Sequence, residues 1–226
     1  EIIHDVDVER NQKRLTEQQK ITSEQIRRIE DAAILTPIQL APLNSSLQRY
    51  STSLRELLAS HQSYLTSKAA FKKQAERFIT ISELLERIGD AQVDEMAATP
   101  DKAVTWNTGL SRRWDAADGG MESSIGFLTQ LFYLEQLTAG QDPVRCRKEI
   151  ENARTFHREA MELMLATGSF DANFSATDAD GEYEGRSMSE VCRSEFSSVC
   201  KTMDDYIASF QKVQSAKGRY NSLADA

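Results

Sequence analysis

The sequence predicts an all-α fold, an elongated helical bundle with two long helices and several shorter ones. Three observations predict it. Apolar residues recur in alternating steps of four and three over two long stretches. Period-2 alternation rich in Val, Ile and Thr is missing throughout, which leaves no candidate strand. Only four prolines and ten glycines interrupt 226 residues, so there are few points where a helix must stop.

A first helix is expected over about Val6 to Leu35, with a sparse apolar stripe of Val8, Leu15, Ile26 and Ile29. Asn11, Gln18 and Thr22 fill the other inward positions. Buried polar groups need partners, so this helix is either half exposed or lines a polar cavity or a dimer interface. The long helix runs from about Leu43 to Ala98, roughly 84 Å if unbroken. Its core positions are Leu47, Tyr50, Leu54, Leu57, His61, Tyr64, Lys68, Phe71, Ala75, Phe78, Ser82 and Leu85. On that seam His61 is expected to be a hydrogen-bonded core histidine.

Two shorter helices follow, about Ala103 to Ala139 and Pro143 to Thr167. Gly140 to Pro143 separates them, with Asp142 as N-cap and Pro143 in the first helical position. Pro37, Pro42 and Pro100 are likewise expected where helices start or stop. The return helix carries Phe196, Val199, Met203, Tyr206, Phe210, Val213 and, after Lys217, Tyr220. Residues 168–186, rich in Asp, Ser, Ala and Gly, form the one long loop. The two shorter helices together nearly match the long one, so an up–up–down plan closes. Residues 1–226 then form a single domain in which 103–226 repeats the plan of 1–98.

Composition excludes several functions. Hydrophobic residues make up 40% and charged residues 27%, within the globular range. Lys and Arg number 27 against 35 Asp and Glu, a net charge of −8. That charge repels phosphate backbones, so nucleic acid is not an expected partner. No apolar run approaches the roughly 18 residues that span a bilayer. The chain begins at Glu1 without a signal-peptide pattern and ends at Ala226 inside a helical pattern. Both ends are expected to be cuts from a longer chain, as excision between two membrane helices would leave.

No catalytic constellation emerges, and an enzyme is not expected. His4, His61 and His157 lie far apart, with no base placed beside a nucleophile. No HExxH, GxSxG, P-loop or GxGxxG motif occurs. Cys146 with His157 is a pair where zinc needs four ligands, and neither long helix offers the Glu-x-x-His of a di-iron bundle. Asp171, Asn173, Ser175 and Glu182 match positions 1, 3, 5 and 12 of a calcium loop, but Ala176 stands where the turn needs glycine. A solvated acidic loop is expected there, with no metal and no cofactor. Cys192 and Cys200, eight residues apart on one helix, are about 12 Å apart and cannot pair. Cys146 either bridges to one of them or all three stay free. Trp106 and Trp114 share a helix face, as core or as the aromatic wall of a pocket beside Arg113.

Three segments carry a resemblance. LTPIQLAPLNSSLQRYSTSLRELLASHQSYLTSKAAF resembles the turn into the first long helix of the helical bimodular sensor domains found in bacterial chemoreceptors and sensor histidine kinases. FLTQLFYLEQLTAGQDPVRCRKEIENARTFHREAMELM is similar to that family's proximal-to-distal helix break. FSSVCKTMDDYIASFQKVQSAKGRYNSLADA is similar to its long return helix. This chain departs from the family in its short first limb and its long acidic loop.

The resemblance implies two stacked four-helix modules and a periplasmic domain of an inner-membrane receptor, working as a homodimer. It also implies a small organic acid held by arginines between helices, another small molecule, or a periplasmic binding protein. Arg10 and Arg14 stand one turn apart on one face, as a carboxylate clamp requires. The family's arginine on the ascending helix of the second half has no counterpart in SIGFLTQLFYLEQL, and Arg112 and Arg113, beside Trp114, are the nearest substitutes. The alternative is a secreted or envelope-anchored helical protein that acts by protein–protein contact, of adaptor or immunity type.

Overall fold

A computed structural model of the chain describes residues 8–31, 37–98 and 109–224. The protein is all-α, and its described residues form five helices: α1 (Val8–Asp31), α2 (Pro37–Ala97), α3 (Leu110–Thr138), α4 (Pro143–Ala166) and α5 (Met188–Ala224). Among the described residues a 3-10 turn lies at Asp178–Gly181. Among the described residues there is no strand, only an isolated bridge between Asn173 and Ser187.

The chain divides into two compact units, residues 1–69 with 205–226, and residues 70–204. Helices α2 and α5 each contribute to both. In the first unit, Leu54, Leu57 and Leu58 of α2 pack on Val213 and Ala216 of α5. Tyrosines border that core in facing pairs: the Tyr50 and Tyr220 hydroxyls lie 2.8 Å apart, and those of Tyr64 and Tyr206 lie 3.2 Å apart. Each pair places its rings 5.4 Å apart. The expected seam on α5 shifts by one residue here. Ala216 is buried and Lys217 is exposed, because a long cationic chain gains nothing by leaving water. Ile26 is buried on α1, whereas Gln18 is exposed and Thr22 is half-buried, its hydroxyl donating to the Gln18 carbonyl. These two residues follow the half-exposed reading of the first helix.

In the second unit, Phe78, Ile81 and Leu85 of α2 are fully buried with Met161 and Met164 of α4 and Val191, Val199 and Met203 of α5. Helices α3 and α4 approach closely through glycine. A Cβ on Gly126 would lie 2.7 Å from the His157 Cβ, and one on Gly119 would lie 2.8 Å from the Met164 Cβ. The turn between them ends α3 with Gly140 in the left-handed region (φ 86°). Its N–H donates to Leu137 and the Gln141 N–H donates to Gln136, the paired bonds of a Schellman stop. Asp142 caps α4 as its sequence implies, accepting from the amides of Val144 and Arg145.

Several expectations change. Pro42 lies inside α2, which starts at Pro37 rather than near Leu43. The missing amide of Pro42 costs one bond close to the helix start, to the Ile38 carbonyl, so a helix of this length absorbs it. Residues 168–186 are not merely a solvated loop. Phe170, Phe174 and Tyr183 are buried and anchor the segment to the core. Arg77 donates to the Tyr183 hydroxyl at 2.9 Å and pairs with Glu182 at 2.6 Å, while Tyr183 donates to Glu195 at 3.0 Å. Gln74 also donates to Glu195. Glu182, the twelfth position of the calcium pattern, is therefore already engaged. Asp178 is turned to Ser175, accepting from both its amide and its hydroxyl. Trp106 lies outside the described residues.

Candidate functional site

The sequence-expected site residues are divided between the two units. Arg14 is exposed on α1, in the first unit, and nothing is described of the Arg10 side chain beyond its place on the same helix. Arg112, Arg113 and Trp114 belong to the second unit. Arg113 is already committed, donating to the Gln92 carbonyl at 2.8 Å and facing Glu95 at 3.9 Å. Arg112 lines a groove with Asp115, Asp118 and Glu122. Trp114 is 51% exposed and lines a groove of about 380 Å³ with Glu86, Asp90, Asp94 and Asp118. It is thus not a core residue, and its surroundings repel a carboxylate ligand.

The arrangement suited to an anion lies instead in the first unit, between α2 and the end of α5. Arg49 and Arg55 of α2 and Arg219 of α5 line a groove of about 600 Å³ with Gln48, Thr52, Ser53 and Glu56. Three guanidinium groups face one carboxylate, a local excess of positive charge in a chain of net charge −8. Arg55 donates to the Ser51 hydroxyl at 2.9 Å, and Arg219 meets Glu56 at 3.3 Å. Among the described residues Arg49 carries no ion pair.

Ser53 adds a second observation. It is only 7% exposed, and its Oγ has no hydrogen-bond partner. A buried hydroxyl left unpaired costs about 1–3 kcal/mol, and relieving it takes a shift of the groove wall that uncovers the Oγ to a ligand oxygen. Guanidinium forks bind carboxylate or phosphate oxygens in pairs. The local sequence provides this geometry simply: residues 45, 48, 49, 52 and 56 recur at steps of three and four on one face of α2, and residues 219 and 223 do so on α5.

Sequence reasoning missed these arginines because attention to the apolar seam hides the polar stripe beside it. The signal was present in QRYSTSLRE, where Arg49 and Arg55 flank the hydroxyl side chains of Tyr50, Ser51, Thr52 and Ser53.

The described cysteines are not activated as nucleophiles. Burial pushes the Cys192 thiol up to about 12 and the Cys200 thiol up to about 11, which keeps both protonated. All three cysteines are free. The antiparallel register set by Arg154 with Asp204 and Glu162 with Arg193 carries Cys146 away from both others, well beyond disulfide reach. Among the described residues no group of three or more His, Cys, Asp or Glu side chains is placed to hold a metal. No described helix is long and apolar enough to cross a membrane.

By fold the chain is an all-α helical protein with an arginine-lined groove. No family model, curated protein or solved structure matches it.

Proposed function

We propose that this chain is the extracytoplasmic ligand-sensing domain of a bacterial transmembrane receptor, a chemoreceptor or sensor kinase, and that it works in the periplasm as a homodimer. Its ligand is a small organic acid held by Arg49, Arg55 and Arg219 rather than by the arginines the sequence first suggested. One observation carries this reading: a cationic groove with an unsatisfied buried hydroxyl lies between α2 and α5, the two helices that contribute to both units. A carboxylate bound there bridges the two helices. Shifts of an ångström or two along packed helices are a recognised form of signal. The resemblance of the long-helix segments to bimodular sensor domains supports the same reading.

Titration calorimetry with a panel of mono-, di- and tricarboxylates and inorganic phosphate tests it. A specific ligand should lose about tenfold or more in affinity in Arg49→Ala and in Arg219→Ala, since a charge-assisted hydrogen bond contributes about 1.5–3 kcal/mol. Silence across the panel, or binding indifferent to both substitutions, overturns the assignment of the groove. The contact-protein alternative is favoured by one feature, an exposed apolar stripe along α3.

A further inference from the structure

The second unit presents a surface that the anion groove does not explain. Trp114, Met121, Ile125, Leu128 and Phe132 of α3 are each 49–61% exposed. Their spacings are seven, four, three and four, so they form one continuous stripe about 27 Å long. The opposite face of α3 is committed to the core through Ala116, Gly119, Ser123, Phe127, Gln130 and Leu134. This helix is therefore apolar on two faces, and only one of them is covered. A soluble surface rarely keeps an ordered apolar row of this kind without a use for it.

Around its Trp114–Met121 half the stripe is bordered mainly by carboxylates. On the α2 side lie Glu86, Asp90, Asp94 and Asp118. On the α4 side lie Asp115 and Glu122, with Arg112 the one cation lining that groove. Among the described residues none of these six carboxylates carries an ion pair.

We infer that this face of α3 docks an amphipathic helix of a partner protein, apolar at heptad spacing and flanked by lysine and arginine. The heptad stripe selects a helix, whose knobs match that period. The rim selects a basic one, because charge complementarity at a rim sets partner choice and association rate. A second copy of this chain would bring an equally acidic rim against the first, so dimerisation is expected through another surface. Anionic lipid is repelled for the same reason.

Two synthetic peptides of about six helical turns test the inference. They share Leu and Ile at heptad positions, and their flanking positions are Lys and Arg in one and Glu in the other. Fluorescence anisotropy should show the basic peptide binding the whole chain and the acidic one failing. Affinity should fall about tenfold or more in Ile125→Glu and in Leu128→Glu, and the salt dependence should flatten in Asp90→Asn with Asp118→Asn. Val144→Glu, exposed and off the stripe, should bind as wild type, as should Arg49→Ala, which isolates this inference from the anion groove. These positions are exposed, so circular dichroism should be unchanged. Equal binding of both peptides, or indifference to Ile125→Glu, overturns the inference. So does a dimer in sedimentation that Ile125→Glu disperses, or uptake by anionic vesicles that the same change abolishes.

Discussion

The Gln130 amide donates to the His157 ring, Nε2 to Nδ1 at 3.1 Å, inside a cage of Phe78, Phe127 and Phe196. Both residues are fully buried, and His157 Nε2 has no partner. With Nδ1 accepting, the neutral ring carries its proton on Nε2. A second proton would place a charge in an apolar core, and burial lowers the pKa of His157 to about 4.

The sign of the pH effect follows directly. The unfolded chain binds this proton below about 6.5 and the folded chain only below about 4. Stability from this residue is complete above pH 6.5 and falls as pH drops towards 4, by ~3 kcal/mol in all. Urea unfolding at pH 7.5, 6 and 5 should show the decline. His157→Leu should be less stable at pH 7.5, because Gln130 loses its acceptor, but it should flatten that part of the slope. An unchanged slope in the variant would refute the assignment.

Two glycines should respond to alanine with opposite signs. At Gly126 the new methyl would meet the His157 Cβ at 2.7 Å and its Cα at 2.9 Å, so α3 and α4 must separate. We expect a loss of about 1–3 kcal/mol, the usual cost of overpacking. At Gly218 of α5 nothing lies within 4 Å of the added Cβ. There alanine should stabilise by about 0.5–1 kcal/mol through helix propensity alone. Thermal melts of the two variants check the pair, and like signs would contradict the packing described.

How much of this was legible in the sequence varies with range. The four–three seam placed Leu54, Leu57, Phe71, Phe78 and Leu85 inward, and all are buried. Asp142 and Pro143 marked the start of α4 correctly, because a cap is decided by residues within one turn. Long-range packing was not legible. His61 sits half-buried with its ring 6.0 Å from Tyr64, and the core histidine is His157 instead. Only the glycine on the facing helix makes room for that ring. Phe170, Phe174 and Tyr183 break no local rule of a loop, yet they are buried by what α2 and α5 offer them. Trp114 belongs to a stripe whose exposure depends on where α2 and α4 pack around α3.

The 168–186 segment should loosen when Arg77 is removed. Arg77 bridges α2 to Tyr183 and Glu182 of the segment and to Glu195 of α5. Its guanidinium is held charged mainly by the hydrogen bond to Tyr183. Arg77→Leu leaves Glu195, a buried carboxylate, with Tyr183 and Gln74 alone. A cost of about 2 kcal/mol is expected. Cleavage in limited proteolysis should appear first within 168–186, and Glu195→Gln, which keeps the shape, should cost less. Proteolysis that starts elsewhere would show that the buried aromatics alone hold the segment.

Ser53 separates stability from binding. Its hydroxyl is buried without a partner at the wall of the arginine groove. Ser53→Ala removes an unsatisfied polar group and swaps in the better helix former, so the unliganded chain should gain about 1 kcal/mol. If the hydroxyl meets a ligand oxygen, the same change should weaken the carboxylate identified by calorimetry severalfold. A ligand at a hundredfold over its dissociation constant stabilises the wild type by about 2.7 kcal/mol. A severalfold loss of affinity removes about 1 kcal/mol of that, so the melting gap should close: the variant melts higher without ligand and about level with wild type once ligand is added. A variant that gains as much as wild type on adding ligand would remove Ser53 from the site and leave its burial a matter of packing alone.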